Sequence, residues 1–111
     1  MSGKRSQAKG RNGEMELSRV LQGYGYNVTP GQPLNYGREP DLSGLPNIHI
    51  EAKRAEKLNL TAWVAQAKAD AIKFNDGLPA VFHRRNRQEW LVTMPLSAWV
   101  ELYKGGGPDG E

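Results

Sequence analysis

The chain has 111 residues, 38% of them hydrophobic, with a formal charge of +3, which is the size of one lean domain with a modest core. It contains no cysteine, and this excludes disulfides, thiolate metal sites and cysteine nucleophiles and fits a reducing cytoplasm. No apolar run approaches the ~20 residues of a membrane span, so no membrane partner is expected, and the basic N-terminus lacks the apolar stretch of a secretory signal.

Residues 1–10 are rich in Ser, Gly, Lys and Arg and predict a flexible basic arm. Lys4, Arg5, Lys9 and Arg11 fall in or beside it with no acid among them. From about Asn12 a helix is expected, because Leu17, Val20, Leu21 and Tyr24 recur at i, i+3, i+4 and i+7. Gly23 and Gly25 mark its end. Tyr26 to Thr29 reads as a strand stopped by Pro30-Gly31, and residues 30–39 read as a loop over the sheet.

A hairpin follows. Pro40-Asp41-Leu42-Ser43 leads into the turn Gly44-Leu45-Pro46-Asn47. In the next segment Ile48, Ile50 and Ala52 alternate with His49, Glu51 and Lys53, the period of a strand with one apolar face. Folding back at the turn sets Asp41 beside Glu51. Two neighbouring carboxylates repel unless a cation lies between them. Hard oxygen donors of this kind suit Mg²⁺ or Mn²⁺, and a metal next to Lys53 is the equipment for phosphodiester hydrolysis. The competing reading is a surface hairpin with Glu51 and Lys53 as a solvated pair. His49 shares the Glu51 face and reads as a partly exposed strand histidine, with ligand or base as the alternative.

Leu58 to Phe74 predicts a second helix, with Thr61 as N-cap and with Leu60, Val64, Ala67, Ala71 and Phe74 on its buried side. Asn75-Asp76-Gly77 ends it. Leu78 to Phe82 and Glu89 to Met94 read as strands joined across the basic turn His83-Arg84-Arg85-Asn86-Arg87. Pro95 to Tyr103 predicts a last helix, with Leu96, Trp99, Val100 and Tyr103 as its apolar stripe. Trp63, Trp90 and Trp99 sit at apolar-periodic positions, as core or interface residues. Residues 104–111 read as a disordered, Gly-rich tail. The order α-β-β-β-α-β-β-α is that of a single α/β domain over residues 11–103, a mixed sheet flanked by helices. The two basic clusters, with Lys53, Arg54 and Lys57 between them, suggest a polyanionic partner, of which nucleic acid is the commonest; a solvated tail and a polar hairpin turn are the equal alternative for either cluster alone.

Pro40-Asp41 followed by Glu51-Ala52-Lys53 resembles the active-site motif of the PD-(D/E)XK nuclease superfamily, whose core is restriction-endonuclease-like. Lys9-Gly10-Arg11-Asn12-Gly13-Glu14, opening an amphipathic helix, resembles the start of archaeal-type Holliday-junction resolvases. Those enzymes carry a Lys-Gly, three residues, then a functional Glu. The runs Gly44 to Lys53, Ala80 to Asn86 and Trp90 to Met94 are similar to small phage and prophage proteins of the same resolvase type. The resemblance spans about residues 9–103.

It implies a Mg²⁺-dependent endonuclease, with Mn²⁺ as a substitute, that cuts four-way DNA junctions and leaves 5′-phosphate and 3′-hydroxyl ends. It implies metal binding by Asp41, Glu51, the carbonyl of Ala52 and Glu14, with Lys53 stabilising transition-state charge or orienting the attacking water. Gln66 would reach from the second helix toward the active-site strand; an ordinary surface amide is the alternative. Glu16 competes with Glu14, and the two point about 200° apart on a helix. Glu14 lies nearer the apolar stripe and is preferred, although an acid favoured by the helix dipole is the plainer account. Lys4, Arg5, Lys9, Arg11, Arg38, Arg54, Arg84, Arg85 and Arg87 would hold phosphates without reading sequence. A junction offers two symmetric strands, which a two-fold homodimer matches. The expected setting is the cytoplasm of a bacterial host, with the gene phage- or prophage-borne. Asn35, Tyr36 and Arg38 stand where archaeal enzymes carry a serine, so the loop's role differs. The rival functions are cleavage of other branched or nicked DNA on the same fold, and a non-catalytic DNA-binding module.

Overall fold

The hairpin forms around Asn47, whose φ of 66° places it in the left-handed region that asparagine tolerates at turns. Its register pairs Leu42 with Ile50, which carries both apolar side chains into one core. In the computed structural model, which describes residues 2–35 and 37–106 with side chains for 11–35 and 37–105, this hairpin is the middle of a larger sheet. The elements are α1 (Ser2–Gly23), β1 (Thr29–Pro30), a 3-10 turn (Pro33–Asn35), β2 (Leu42–Ser43), β3 (Ile48–Arg54), α2 (Leu60–Phe74), β4 (Leu78–Arg84), β5 (Leu91–Thr93) and α3 (Leu96–Gly106).

The sheet runs β1-β2-β3-β4-β5. Pairs β1–β2, β2–β3 and β4–β5 are antiparallel, and β3–β4 is parallel. A parallel pair needs a crossover, and α2 supplies it. The expected α/β mixed sheet is therefore present, with the expected order of helices and strands.

Both faces of β3 are covered. On one side Leu17 of α1 joins Val28, Leu42, Ile50, Ala80 and Phe82 in the core, with Ile48 and Ala52 packed against it. On the other side α2 lies on β3 and β4. Its buried residues, Ala67 and Ala71, are small, so the helix axis can approach the sheet closely. Burying these alanines and the aliphatic residues opposite is the main stabilising term, roughly 25 cal/mol for each Å² of apolar surface removed from water.

Several element bounds differ from the sequence reading. Helix α1 begins at Ser2 rather than near Asn12, and α3 runs on to Gly106. Strand β1 is Thr29–Pro30 rather than Tyr26 to Thr29. Tyr26 is exposed and only Val28 reaches the core. Pro30 is tolerated inside β1 because β1 is an edge strand, where a missing N–H breaks no ladder. Helix α2 starts at Leu60 with Asn59 as its cap residue, and no side chain caps it; Thr61, the expected N-cap, is one residue inside the helix. Strand β4 extends through Arg84 because its parallel pairing with β3 continues to Arg54. The apolar stripe of α3 is not core: Leu96 is 75% and Trp99 48% exposed, and Ala98 is the residue buried there. No helix among the described residues is long and apolar enough to cross a membrane.

Candidate active site

The hairpin register decides where the first two acids meet. One step out from the Leu42–Ile50 pair in each strand stand Asp41 and Glu51. Helix α1 brings a third acid. A side-chain methyl at Gly13 would lie 2.8 Å from Arg54 Cβ, so glycine is what lets this turn of α1 rest on β3. Glu14 follows it and is buried. From the other side α2 contributes Gln66 and Asp70, one helical turn apart. Glu14, Asp41, Glu51, Lys53, Gln66 and Asp70 line one cavity of about 390 Å³, with Ala52 on its wall. Every expected catalytic and metal-binding residue thus lines this cavity, but Glu14 and Asp41 are not among the described residues whose ligand atoms gather within 4.8 Å of one another, which are His49, Glu51 and Asp70.

The electrostatics are those of acids short of positive charge. Burial first, then the charge of Asp41, pushes Glu14 up to about 7, against the opposing pull of Arg11. Burial also raises Asp41, with Lys53 as the main opposing influence, and a hydrogen bond with Glu14 ties the two acids together. Burial raises Glu51 as well, offset in part by the hydrogen bond from His49. Lys53 Nζ donates to Gln66 Oε1 at 2.8 Å, so the ammonium stays among the carboxylates. Carboxylates whose pKa burial raises, presented as hard oxygen donors, fit a divalent cation of the Mg²⁺ type.

His49 differs from its expected place. It is 1% exposed, because α2 covers the face that the hairpin alone would leave open. Nε2 lies 2.9 Å from Glu51 Oε1, and Nδ1 lies 2.9 Å from both oxygens of Asp76. Burial would lower its pKa, but hydrogen bonds to Glu51 and Asp76 outweigh burial and raise it. Among the described residues, ligand atoms of His49, Glu51 and Asp70 gather within 4.8 Å of one another. Asp70 and Asp76 were not singled out in the sequence. Asp70 carried a usable signal, since it follows Gln66 by four residues and shares its helix face.

The basic residues divide. Arg84 Nε donates to Glu16 Oε1 at 2.9 Å and its Nη2 faces Oε2 at 3.3 Å. Arg54 Nε stands 3.4 Å from the same Oε1, and Arg54 Nη1 donates to Asn86 Oδ1 at 2.9 Å. Glu16 is therefore held in a cluster outside the cavity, its pKa lowered by the Arg84 hydrogen bond, while Glu14 lines the cavity. Arg11 donates to the carbonyl of Gly31. Arg38, Arg85 and Arg87 are exposed. The side chains of Lys4, Arg5 and Lys9 lie outside the described residues, as does Tyr36. Trp63 borders the cavity and tilts against His83 at 5.7 Å, and Trp90 packs on the core.

The five-stranded mixed sheet between helices, with the acids and the lysine gathered where β2 and β3 meet, is a fold shared with a solved structure. Among solved structures the chain is similar to Archaeoglobus fulgidus Hjc, a Holliday junction resolvase from an archaeal hyperthermophile. The match has a TM-score of 0.57 and 22% identity, and it covers 78% of this chain and 72% of that one. No family model and no curated protein sequence matches the chain.

Proposed function

We propose that this chain is a divalent-metal-dependent DNA endonuclease that cuts branched DNA, with four-way junctions as its preferred substrate. One observation carries the reading: Glu14 of α1 and Glu51 of β3, both buried, and the partly buried Asp41 just before β2 line one cavity beside the Lys53 ammonium, and burial raises the pKa of each acid. A binding module has no use for buried, under-compensated acids; a hydrolase that recruits a cation does. The likeness to a resolvase structure supports the choice of substrate.

Asp41, Glu51, the Ala52 carbonyl and Glu14 would hold Mg²⁺, with Mn²⁺ able to replace it; when bound, the ion supplies an acidified water and charge neutralisation at the scissile phosphate. Lys53 does its work as a cation, stabilising the charge that builds on the phosphate oxygens. Gln66 keeps that ammonium in place. Arg38, Arg85 and Arg87 contact backbone phosphates, which position DNA without reading its sequence; Lys4, Arg5, Lys9 and Arg11 are assigned the same role on their charge alone, and Arg54 and Arg84 flank the arginines through Glu16.

The partner copy would dock on the exposed stripe of Leu96, Trp99, Val100 and Tyr103 together with Leu91 and Val92 of the edge strand β5. Trp99 and Tyr103 already stack, with centroids 5.2 Å apart, as a preformed aromatic patch. A two-fold dimer supplies one active site for each of the two strands cut at a junction. The setting is the cytoplasm, where the chain meets replicating or recombining DNA.

The test is cleavage of a labelled four-way junction with Mg²⁺, beside EDTA, a nicked duplex, a linear duplex and Glu51→Gln. Junction cleavage that needs metal and is lost in Glu51→Gln is the expected result. Cleavage that persists in Glu51→Gln would sink the site. No cleavage by the parent chain with either Mg²⁺ or Mn²⁺ would leave DNA binding as its function.

A further inference from the structure

We propose that Asp76 and His49 are positioning residues, with Asp76 fixing the His49 ring and the ring fixing one oxygen of Glu51, which leaves the other oxygen to a divalent ion. This rests on the reading of Glu51 as a metal ligand.

The three groups form a line. Both Asp76 oxygens lie 2.9 Å from Nδ1, and Nε2 lies 2.9 Å from Glu51 Oε1. The ring between them has little freedom, since it stacks on Phe74 with centroids 6.3 Å apart and planes 15° from parallel. The far end of the line is also fixed. Asp76 sits in the turn after α2, between Asn75, the left-handed cap at φ 48°, and Gly77 at φ 131°. At Gly77 this turn presses against the β2–β3 turn so closely that an added methyl would fall 2.2 Å from the carbonyl carbon of Asn47. Leu78 N donates to Asn47 O at 2.8 Å beside it. The backbone that follows Asp76 is thus fixed against Asn47, next to the start of β3, the strand that carries Glu51.

The rival for His49 is direct ligation, since its ligand atom lies near those of Glu51 and Asp70. A coordinating nitrogen needs a free lone pair. Carboxylate oxygens face both nitrogens, so the ring donates from Nδ1 to Asp76 and from Nε2 to Glu51 as an imidazolium and keeps no lone pair for a metal. A carboxylate that braces a histidine, which in turn braces a ligand, orients the ligand instead.

The test measures Mn²⁺ binding to the full chain by titration calorimetry, with thermal melts as controls. The variants are Asp76→Ala, Asp76→Asn and Glu51→Gln. Asp76→Ala is expected to weaken Mn²⁺ binding by about tenfold or more. Asp76→Asn, whose amide oxygen still accepts the Nδ1 hydrogen, should restore most of the affinity. A merely structural role would lower melting temperatures and leave affinity alone. Unchanged affinity in Asp76→Ala overturns the proposal, as does an imidazole-nitrogen hyperfine coupling to bound Mn²⁺, which would make His49 a ligand. If the parent binds no Mn²⁺, or Glu51→Gln binds it equally well, the metal site itself is wrong and the proposal falls with it.

Discussion

Lys53 Nζ and Gln66 Oε1, 2.8 Å apart, join the central strand β3 to the crossover helix α2 at the cavity. The bond is solvent-exposed, so it contributes about 0.5–1.5 kcal/mol net. Gln66→Ala should therefore slow single-turnover junction cleavage by about tenfold at most. Lys53→Ala removes the charge itself and should cost on the order of 10²–10³. Rate constants from quenched time courses decide this; equal losses would mean that Gln66 does more than hold the lysine.

Stability of the metal-free protein should fall as pH rises. The folded pKa of Glu14, about 7, exceeds its ordinary value of 4.5. The native state therefore binds the proton more tightly than the unfolded chain. Its contribution is fully present below 4.5 and is lost as pH climbs through about 7. Asp41, Glu51 and His49 are raised too and act in the same direction. Urea unfolding in EDTA at several pH values between 5 and 8 should show the decline, and Glu14→Gln should flatten part of it. A rise over that interval would contradict the assignment.

The two neighbouring acids of α1 should behave oppositely. Glu14→Gln removes a strained buried charge, so it should abolish cleavage while holding or raising the melting temperature at pH 7.5. Glu16→Gln loosens Arg84 and Arg54 and should lower the melting temperature while leaving most of the cleavage. Melts and cleavage assays on both variants separate the two roles.

Gly13→Ala tests how closely α1 must sit. Its methyl would meet Arg54 Cβ at 2.8 Å, and crowding of this kind costs about 1–3 kcal/mol. Lost stability should come with weaker Mn²⁺ binding, because Glu14 moves with the helix. Unchanged affinity would show that α1 yields without carrying Glu14 away.

Trp99→Glu should convert a dimer into a folded monomer. Light scattering after size exclusion, with far-ultraviolet circular dichroism as the fold control, gives the answer. A parent chain that is monomeric at tens of micromolar, or a Trp99→Glu variant that stays dimeric, would rule out this face.

The parts of the site that are local in sequence were legible. A four-residue turn and a strict alternation were enough to set Asp41 against Glu51 and to put Lys53 on the same side, and helix phase favoured Glu14 over Glu16. What the sequence concealed depends on packing. Nothing in residues 48–54 says that α2 will cover their polar face, so His49 read as partly exposed and its partner Asp76 went unnoticed. Asp70 shares a helix face with Gln66, but that signal competes with the usual solvation of a lone acid on a helix. Pro30 read as a strand stop because edge position is a property of the sheet, and the α3 stripe left core and interface open because periodicity does not name the surface that covers it.

The crossover between β3 and β4 also bears on when the protein becomes active. Asp41 and Glu51 come together through a hairpin, which closes in microseconds and needs no later sequence. The Lys53 clamp comes from α2, which has a sheet to lie on only once β4 has paired alongside β3. Such long-range parallel pairing is the slow part of folding. A growing chain would hold its acids in place before its lysine is secured, and on the proposed function competence to cut DNA would arrive only once β4 has paired.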